Sequence, residues 1–163
     1  MVNNVTRLLD AKKIPYQVFS LPKEKLGAQE TARLLNVPIE LVYKTIVAVR
    51  PKPGKPILAV IPGNHQVDLK ALAQILNEKK VSLPTEREAE TLTGLQAGGI
   101  SPLALINKGF QVLIDSQAEK LTEIHISGGQ RGVNIRLSVS GLAGLTRARF
   151  GNISQPMQPD GQS

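Results

Sequence analysis

Residues 44–61 read KTIVAVRPKPGKPILAVI. Two apolar runs rich in β-branched residues, 44–49 and 57–61, flank a short segment of proline, glycine and lysine. β-Branched residues favour strands, whereas proline and glycine mark turns. The pattern therefore predicts two strands joined as an antiparallel hairpin, with the turn at 51–56.

The rest of the chain alternates between helical and strand-like patterns. Helices are predicted at 4–11, 28–36, 69–77 and 140–146, with one more between Thr85 and Gly94. Further strands are predicted at 16–19, 79–83, 111–115, 125–127 and 133–137. Strands grouped between helices, without strict strand–helix alternation, indicate an α+β fold. We expect a single domain over 1–150 with a curved, mixed, open barrel-like sheet flanked by helices.

Two helix starts carry their own signals. Asp68 can accept the free amides of the helix that follows it, and Thr85 with Glu88 forms a capping box. From Gly151 onward the sequence is rich in Gly, Asn, Ser, Gln and Pro and poor in apolar residues. This composition predicts a flexible tail over 151–163.

Composition excludes several kinds of site. The 163 residues contain no cysteine and two histidines, so disulfides and thiolate metal sites are excluded, and we expect neither metal nor cofactor. No apolar run reaches the roughly 18 residues of a membrane span. The N-terminus lacks the layout of a signal peptide. These features predict a cytoplasmic protein that does not bind membranes.

The net charge of +7 is concentrated in the first 60 residues, which hold ten Lys/Arg and four Asp/Glu. Such an excess favours a polyanionic partner such as RNA, and a solvated lysine-rich surface is the alternative. Aromatic residues make up only 3% of the chain, which argues against modules that stack on bases.

Three motifs are candidates for chemistry. Gly98-Gly99-Ile100-Ser101-Pro102 is either a tight turn or a loop whose amides bind a carbonyl oxygen. Ser127-Gly128-Gly129-Gln130-Arg131-Gly132 predicts a hairpin turn, from which Arg131 could meet a phosphate or carboxylate. Lys44 is either a solubilising residue at a strand edge or a phosphate contact at a pocket rim. His65 and His125 are better explained as satisfied or exposed histidines than as metal ligands.

Taken together, four runs in register resemble the YbaK/EbsC family. They are Lys13-Ile14-Pro15-Tyr16, Val42-Tyr43-Lys44-Thr45, and the two glycine segments at 98–102 and 127–132. Members of this family are free-standing aminoacyl-tRNA deacylases related to the editing domain inserted in bacterial prolyl-tRNA synthetases. The resemblance covers roughly residues 3–150.

The resemblance implies a function and a site. It implies hydrolysis of mischarged tRNA, typically Cys-tRNA(Pro), by chemistry in which the substrate's own thiol or a hydroxyl assists. The implied catalytic residues are Lys44, Gly98, Gly99, Ile100 and Ser101. The implied substrate-binding residues are Thr45, Pro102, Ser127, Gly128, Gly129, Arg131 and Asn134. The implied partners are the 3′ end of aminoacyl-tRNA and a prolyl-tRNA synthetase, not DNA.

The chain departs from the family at two positions. Asn134 stands where an aspartate is common, and Leu21 stands near a position that often holds tyrosine. Asn134 can still form hydrogen bonds but carries no charge. These changes leave two alternatives to a Cys-tRNA(Pro) deacylase, namely a deacylase for another small amino acid such as alanine, and a non-catalytic protein that binds tRNA ends or a synthetase.

Overall fold

The computed structural model describes residues 3–51 and 53–157. Within these ranges the α-helices are α1 Asn4–Ala11, α2 Ala28–Leu35, α3 Leu69–Ile75, α4 Glu86–Thr93 and α5 Val139–Thr146. The strands are β1 Tyr16–Ser20, β2 Tyr43–Ala48, β3 Ile57–Pro62, β4 His65–Val67, β5 Gln111–Asp115, β6 Glu123–Ser127, β7 Val133–Ser138, β8 Arg149–Gly151 and β9 Ser154–Pro156. Among these described helices, none combines the length and the apolar content that crossing a membrane requires.

The predicted hairpin is confirmed and forms the centre of a mixed four-stranded sheet. Its strand order is β2-β3-β5-β8. β2 runs antiparallel to β3, with Lys44 opposite Ile61, whereas β3–β5 and β5–β8 are parallel. Residue 52, in the predicted turn, lies outside the described residues.

The other strands form two smaller antiparallel sheets. One has the order β1-β7-β6, and the other pairs β4 with β9. A parallel bridge between Val42 and His125 links the start of β2 to β6. The predicted α+β class is confirmed for a single domain, but the expected single sheet is divided into one mixed and two antiparallel sheets, none of them closed.

The core has two parts, separated by the mixed sheet. Leu58 and Val60 of β3 belong to the larger cluster, which also receives α1, α5 and the three-stranded sheet. Ile57, Ala59 and Ile61 belong to the smaller cluster, which is covered by α3. Because successive side chains of a strand point to opposite faces, β3 contributes to both clusters at once.

The capping signals are confirmed. The Asp68 carboxylate accepts a hydrogen bond from the Ala71 amide at 3.0 Å. Thr85 and Glu88 form both bonds of a capping box, and α4 ends at Gly94 with a φ of +72°. These bonds satisfy amides that the first turn of a helix leaves free.

The predicted strand at 79–83 is wrong. Ser82 makes only an isolated bridge to Val49, through two backbone hydrogen bonds of 2.9 and 3.0 Å. Of these five residues only Val81 is buried, and Pro84 with the Thr85 cap turns the chain into α4 directly afterwards. A single buried apolar residue is too little to form the apolar face that holds a strand in a sheet.

The predicted flexible tail is also wrong for residues 151–157. Gly151 ends β8, and β9 pairs with β4. The Ile153 side chain is fully buried in the smaller cluster. A single well-placed isoleucine therefore anchors a segment whose composition suggested disorder, while residues 158–163 of the predicted tail lie outside the described residues.

Ile153→Ala tests this anchor. Removing a fully buried isoleucine side chain should lower the free energy of unfolding by about 2–5 kcal/mol. Gln155→Ala, at an exposed position of β9, is the matched control and should change it by less than about 0.5 kcal/mol. Urea unfolding measures both, and equal small effects would show that the segment is not part of the core.

Candidate functional site

A cavity of about 130 Å³ lies where the start of β2, the β6–β7 turn and the glycine loop after α4 converge. The walls combine apolar side chains with two charged ones, Glu24 and Lys44. The lining residues are Leu21, Glu24, Leu26, Ala28, Thr31, Val42, Tyr43, Lys44, Thr45, Gly98, Ile100, Ser127, Gly132, Val133 and Asn134. The bridge between Val42 and His125 brings the β2 wall beside the β6–β7 wall.

The two glycine segments pack directly against each other. A Cβ on Gly99 would lie 2.9 Å from the Gln130 Cα and 3.1 Å from the Arg131 amide nitrogen. Both neighbours are backbone atoms that cannot rotate away, so only glycine fits. Gly99 therefore serves the close approach of two loops, and its amide donates to the Gln96 carbonyl at 2.8 Å.

Hydrogen bonds fasten this contact. The Arg131 Nε donates to the Ala97 carbonyl at 2.7 Å, which ties the β6–β7 turn to the loop after α4. On the other side of the turn, the Asn3 side-chain amide donates to the Gly128 carbonyl at 3.1 Å. The predicted hairpin turn is confirmed, and this use of Arg131 is structural.

The charged loop at 21–27 forms another wall. Leu21 donates its amide to the Gly132 carbonyl at 2.9 Å. A Cβ on Gly132, whose φ is +88°, would lie 2.8 Å from the Lys23 Cγ. Lys25 forms an ion pair with Glu86 at the start of α4. The loop is thereby held over both glycine segments, which places Glu24 and Leu26 at the cavity.

Lys44 is half-buried in β2 and lines the cavity. Its Nζ lies 3.8 Å from the Met157 Sδ, a weak acceptor. Burial lowers the pKa of the Lys44 ammonium. Among the described residues, no carboxylate lies within ion-pair distance of this ammonium. Lys44 thus presents a partly desolvated charge that an anion would stabilise.

Asn134 lines the cavity from β7 and is held by His125. The Asn134 Oδ1 lies 2.8 Å from the His125 Nδ1, and both side chains are buried. Burial lowers the pKa of His125, while the bond to Asn134 opposes this shift. The prediction of a satisfied histidine is confirmed for His125, since its ring is fixed between Asn134 and Phe19, whose ring centre is 5.3 Å away.

The structure divides the residues of the predicted site into two groups. The cavity is lined by Lys44, Thr45, Gly98, Ile100, Ser127 and Asn134. Outside its wall lie Gly99, Ser101, Pro102, Gly128, Gly129 and Arg131. The roles given to both groups stay predictions.

Two residues of the second group, Ser101 and Pro102, make contacts in other parts of the structure. Ser101 is fully buried, and its Oγ accepts a hydrogen bond from the Leu103 amide at 3.2 Å. Pro102 borders a different cavity, beside Leu105 and Phe110.

Nine lining residues were not among the predicted site residues, namely Leu21, Glu24, Leu26, Ala28, Thr31, Val42, Tyr43, Gly132 and Val133. Tyr43 precedes Lys44 directly in β2, and because adjacent strand residues face opposite sides of a sheet, a site at Lys44 does not predict that Tyr43 lines the same cavity. Glu24 carried no motif, because its place at the cavity depends on how the 21–27 loop packs on Gly98 and Gly132. A long-range contact of this kind leaves no local signal.

Residues 23–145 match the model of a family described as the aminoacyl-tRNA editing domain. The chain belongs to the aminoacyl-tRNA editing domain family. This membership confirms the expected resemblance and the expected class, an enzyme of aminoacyl-tRNA editing.

Two curated relatives agree with the family. A protein of Enterococcus faecalis that carries the provisional name Cys-tRNA(Pro)/Cys-tRNA(Cys) deacylase EbsC is 34% identical over 153 residues, which is 93% of this chain and 92% of the relative. A proline–tRNA ligase of Pediococcus pentosaceus is 26% identical over 142 residues. That match covers 82% of this chain but only 24% of the ligase.

Solved structures share the fold of this editing domain. A hypothetical protein, APE2540, matches with a TM-score of 0.86 and 22% identity, covering 94% of this chain and 100% of that one. A protein described provisionally as a trans-editing enzyme for prolyl-tRNA synthetase matches with a TM-score of 0.78 and 21% identity, covering 95% and 99%. At these identities the likeness concerns the fold alone.

Gly99→Ala tests the packing of the two loops. The added methyl group meets backbone atoms, so we expect the free energy of unfolding to fall by about 1–3 kcal/mol. Gly144→Ala is the matched control, because nothing lies within 4 Å of its Cβ position in α5. Alanine in a helix should there raise stability by about 0.5–1 kcal/mol. Equal effects in urea unfolding would contradict the contact between Gly99 and Gln130.

Proposed function

We propose that the protein deacylates mischarged aminoacyl-tRNA and that its substrate is Cys-tRNA(Pro). The observation that carries this proposal is the cavity lined by the half-buried Lys44 on one side and by Gly98 and Ile100 on another. Family membership and the name of the Enterococcus relative support the same reaction.

Lys44 positions the tRNA end in this proposal. Burial removes water from the Lys44 ammonium and lowers its pKa. An anion bound beside it would therefore stabilise the charged form. A phosphate of the 3′-terminal nucleotide supplies such an anion. A lysine binds it as a compact point charge, which leaves the ribose free to orient the ester in the cavity.

The glycine loop polarises the ester carbonyl. In the described part of the chain, the amides of Gly98, Ile100 and Ser101 donate to no acceptor, whereas the amides of Ala97 and Gly99 are bonded to Glu90 and Gln96. Free amides beside a cavity can stabilise the negative charge that develops on a carbonyl oxygen. Gly98 and Ile100 line the cavity, and they are the donors that we propose.

The substrate supplies the nucleophile. Ser101, the hydroxyl nearest to this loop in sequence, is buried and bonded to the Leu103 amide, so it is a poor nucleophile. In Cys-tRNA the thiol sulfur attacks the ester carbonyl, the bond from that carbon to the ribose oxygen breaks, and the oxygen takes a proton. Water then opens the cyclic thioester to free cysteine. Ser127 and Asn134 border the aminoacyl group in this arrangement.

Partners and specificity follow from the same arrangement. The basic excess of residues 1–60 would contact the phosphates of the tRNA. In this proposal, prolyl-tRNA synthetase supplies recognition of the tRNA body, and the cavity of about 130 Å³ takes only the 3′ end. No DNA contact is proposed.

A panel of charged tRNAs tests the function. We expect Cys-tRNA(Pro) to be hydrolysed well above the uncatalysed rate, and Ser-tRNA(Pro) much more slowly because serine lacks the sulfur. Loss of the radiolabelled amino acid from the tRNA is the measurement. Equal rates for Cys-, Ser- and Ala-tRNA(Pro) would instead favour a deacylase for small amino acids, and tRNA binding without turnover would favour a non-catalytic binder.

Lys44→Met tests the role of the ammonium, since methionine retains the stem without the charge. Loss of one charge-assisted hydrogen bond costs about 1.5–3 kcal/mol, so we expect kcat/KM to fall about tenfold to hundredfold. Lys70→Met, at an exposed position of α3, should keep the normal rate. If Lys44→Met deacylates Cys-tRNA(Pro) normally, the lysine is not part of the site.

A further inference from the structure

A chain of three hydrogen-bonded side chains lies outside the cavity described above. The Ser154 Oγ is 2.6 Å from the Asp115 Oδ2 and 2.8 Å from the His65 Nδ1. A carboxylate only accepts, so Ser154 donates its one proton to Asp115. His65 must then donate its Nδ1 proton to Ser154. In neutral His65 this leaves Nε2 as a hydrogen-bond acceptor.

The surrounding structure holds this chain rigidly. Asp115 is 1% exposed, and it also accepts the amides of Gln117 at 2.9 Å and Ile153 at 3.2 Å. The pairing of β4 with β9 places Ser154 opposite Val67. Burial lowers the pKa of His65, and the charge of Lys44 acts in the same direction while Asp115 opposes it. The imidazole is therefore orientated and neutral near pH 7.

His65 borders a second cavity, of about 140 Å³, together with Tyr43 and Asn64. The Tyr43 hydroxyl and the Asn64 Oδ1 are buried and have no hydrogen-bond partner within the described residues. Burial, with the nearby Asp115 carboxylate, raises the pKa of the Tyr43 hydroxyl, so it stays protonated. Unpartnered buried polar atoms are rare because they lose their bonds to water.

The hydrogen-bonding atoms define what could bind. The His65 Nε2 and the Asn64 Oδ1 accept only, and the Tyr43 hydroxyl both donates and accepts. A ligand that satisfies them must present at least two donors. Glu40 and Lys120 at the rim carry opposite charges, which favours a ligand without net charge. Neighbouring hydroxyl groups meet both conditions.

We propose that this second cavity binds the cis-diol of a ribose. Tyr43 lines both cavities, so the two sites adjoin each other. With the aminoacyl ester in the first cavity, the ribose in the second belongs to the preceding nucleotide of the same RNA 3′ end. This assignment rests on the proposed function, whereas the binding of a diol does not.

The first experiment uses a small probe and the full chain. Methyl β-D-ribofuranoside at millimolar concentration should shift the NMR signals of the His65 ring, and its 2-deoxy counterpart should shift them much less. Asn64→Leu should abolish the effect, while Gln66→Ala, exposed on β4, should retain it. Tyr43→Phe, which removes only a hydroxyl group, serves if Asn64→Leu does not fold. Equal responses to both sugars, or none, mean that water alone satisfies these atoms and overturn the proposal.

The second experiment distinguishes a free sugar from RNA. An uncharged RNA hairpin with a tRNA acceptor end is compared with one that has a 2′-deoxy nucleotide before the terminal adenosine. Loss of one hydrogen bond should weaken binding about tenfold in fluorescence anisotropy. In Asn64→Leu the two RNAs should bind equally. If the riboside binds but the RNAs do not differ, the diol site stands and its assignment to RNA is wrong.

These outcomes are separable from failure of the proposed function. If no charged tRNA is deacylated but the riboside shifts the His65 signals, the proposed function fails and the diol site stands. If Cys-tRNA(Pro) is deacylated but neither riboside nor the 2′-deoxy substitution has an effect, this inference fails alone. If the hydrogen bonds among Asp115, Ser154 and His65 serve only to stabilise the fold, we expect deacylation without any effect of the riboside or of the 2′-deoxy substitution.

Discussion

The burial of β3 on both faces is the constraint on which the rest of the molecule depends. Every residue of Ile57–Pro62 is buried, with alternate side chains in the two core clusters. A strand buried on both faces needs cover on each side and a neighbour at each edge. α3 with the β8–β9 segment covers one face, and the three-stranded sheet with α1 and α5 covers the other. β2 and β5 pair with the two edges of β3.

The cavity lined by Lys44 and Gly98 arises at the margin of this arrangement. β2 begins next to β6, at the bridge between Val42 and His125. At this point the paired strands of the hairpin end and loops take their place. Because Gly99 lets one loop touch the backbone of Gln130, the loops meet without a side chain between them. The cavity is therefore shaped by backbone approach, which suits a site with few side chains capable of acid–base chemistry.

Local signals in the sequence predicted much of the fold. The caps at Asp68 and Thr85 and the β-branched runs of the hairpin act over a few residues, so they could be recognised directly. β4 and β9 are three residues each and depend on a partner about ninety positions away. The site divides similarly, since Lys44 and Gly98 stand in recognisable motifs, whereas Glu24, Ser154 and the orphaned Tyr43 hydroxyl acquire their surroundings only by packing.

The positions of Asn3 and Met157 matter for anyone who labels or fuses this protein. Asn3 bonds to the turn at Gly128, and the Met157 sulfur lies beside the Lys44 ammonium. An affinity tag or fluorophore joined next to either residue emerges near the cavity lined by Lys44, where it would compete with the RNA end that we propose to bind there. Gly54, exposed beyond the far end of β2, is about 16 Å or more along the strand from Lys44. It is the better attachment point.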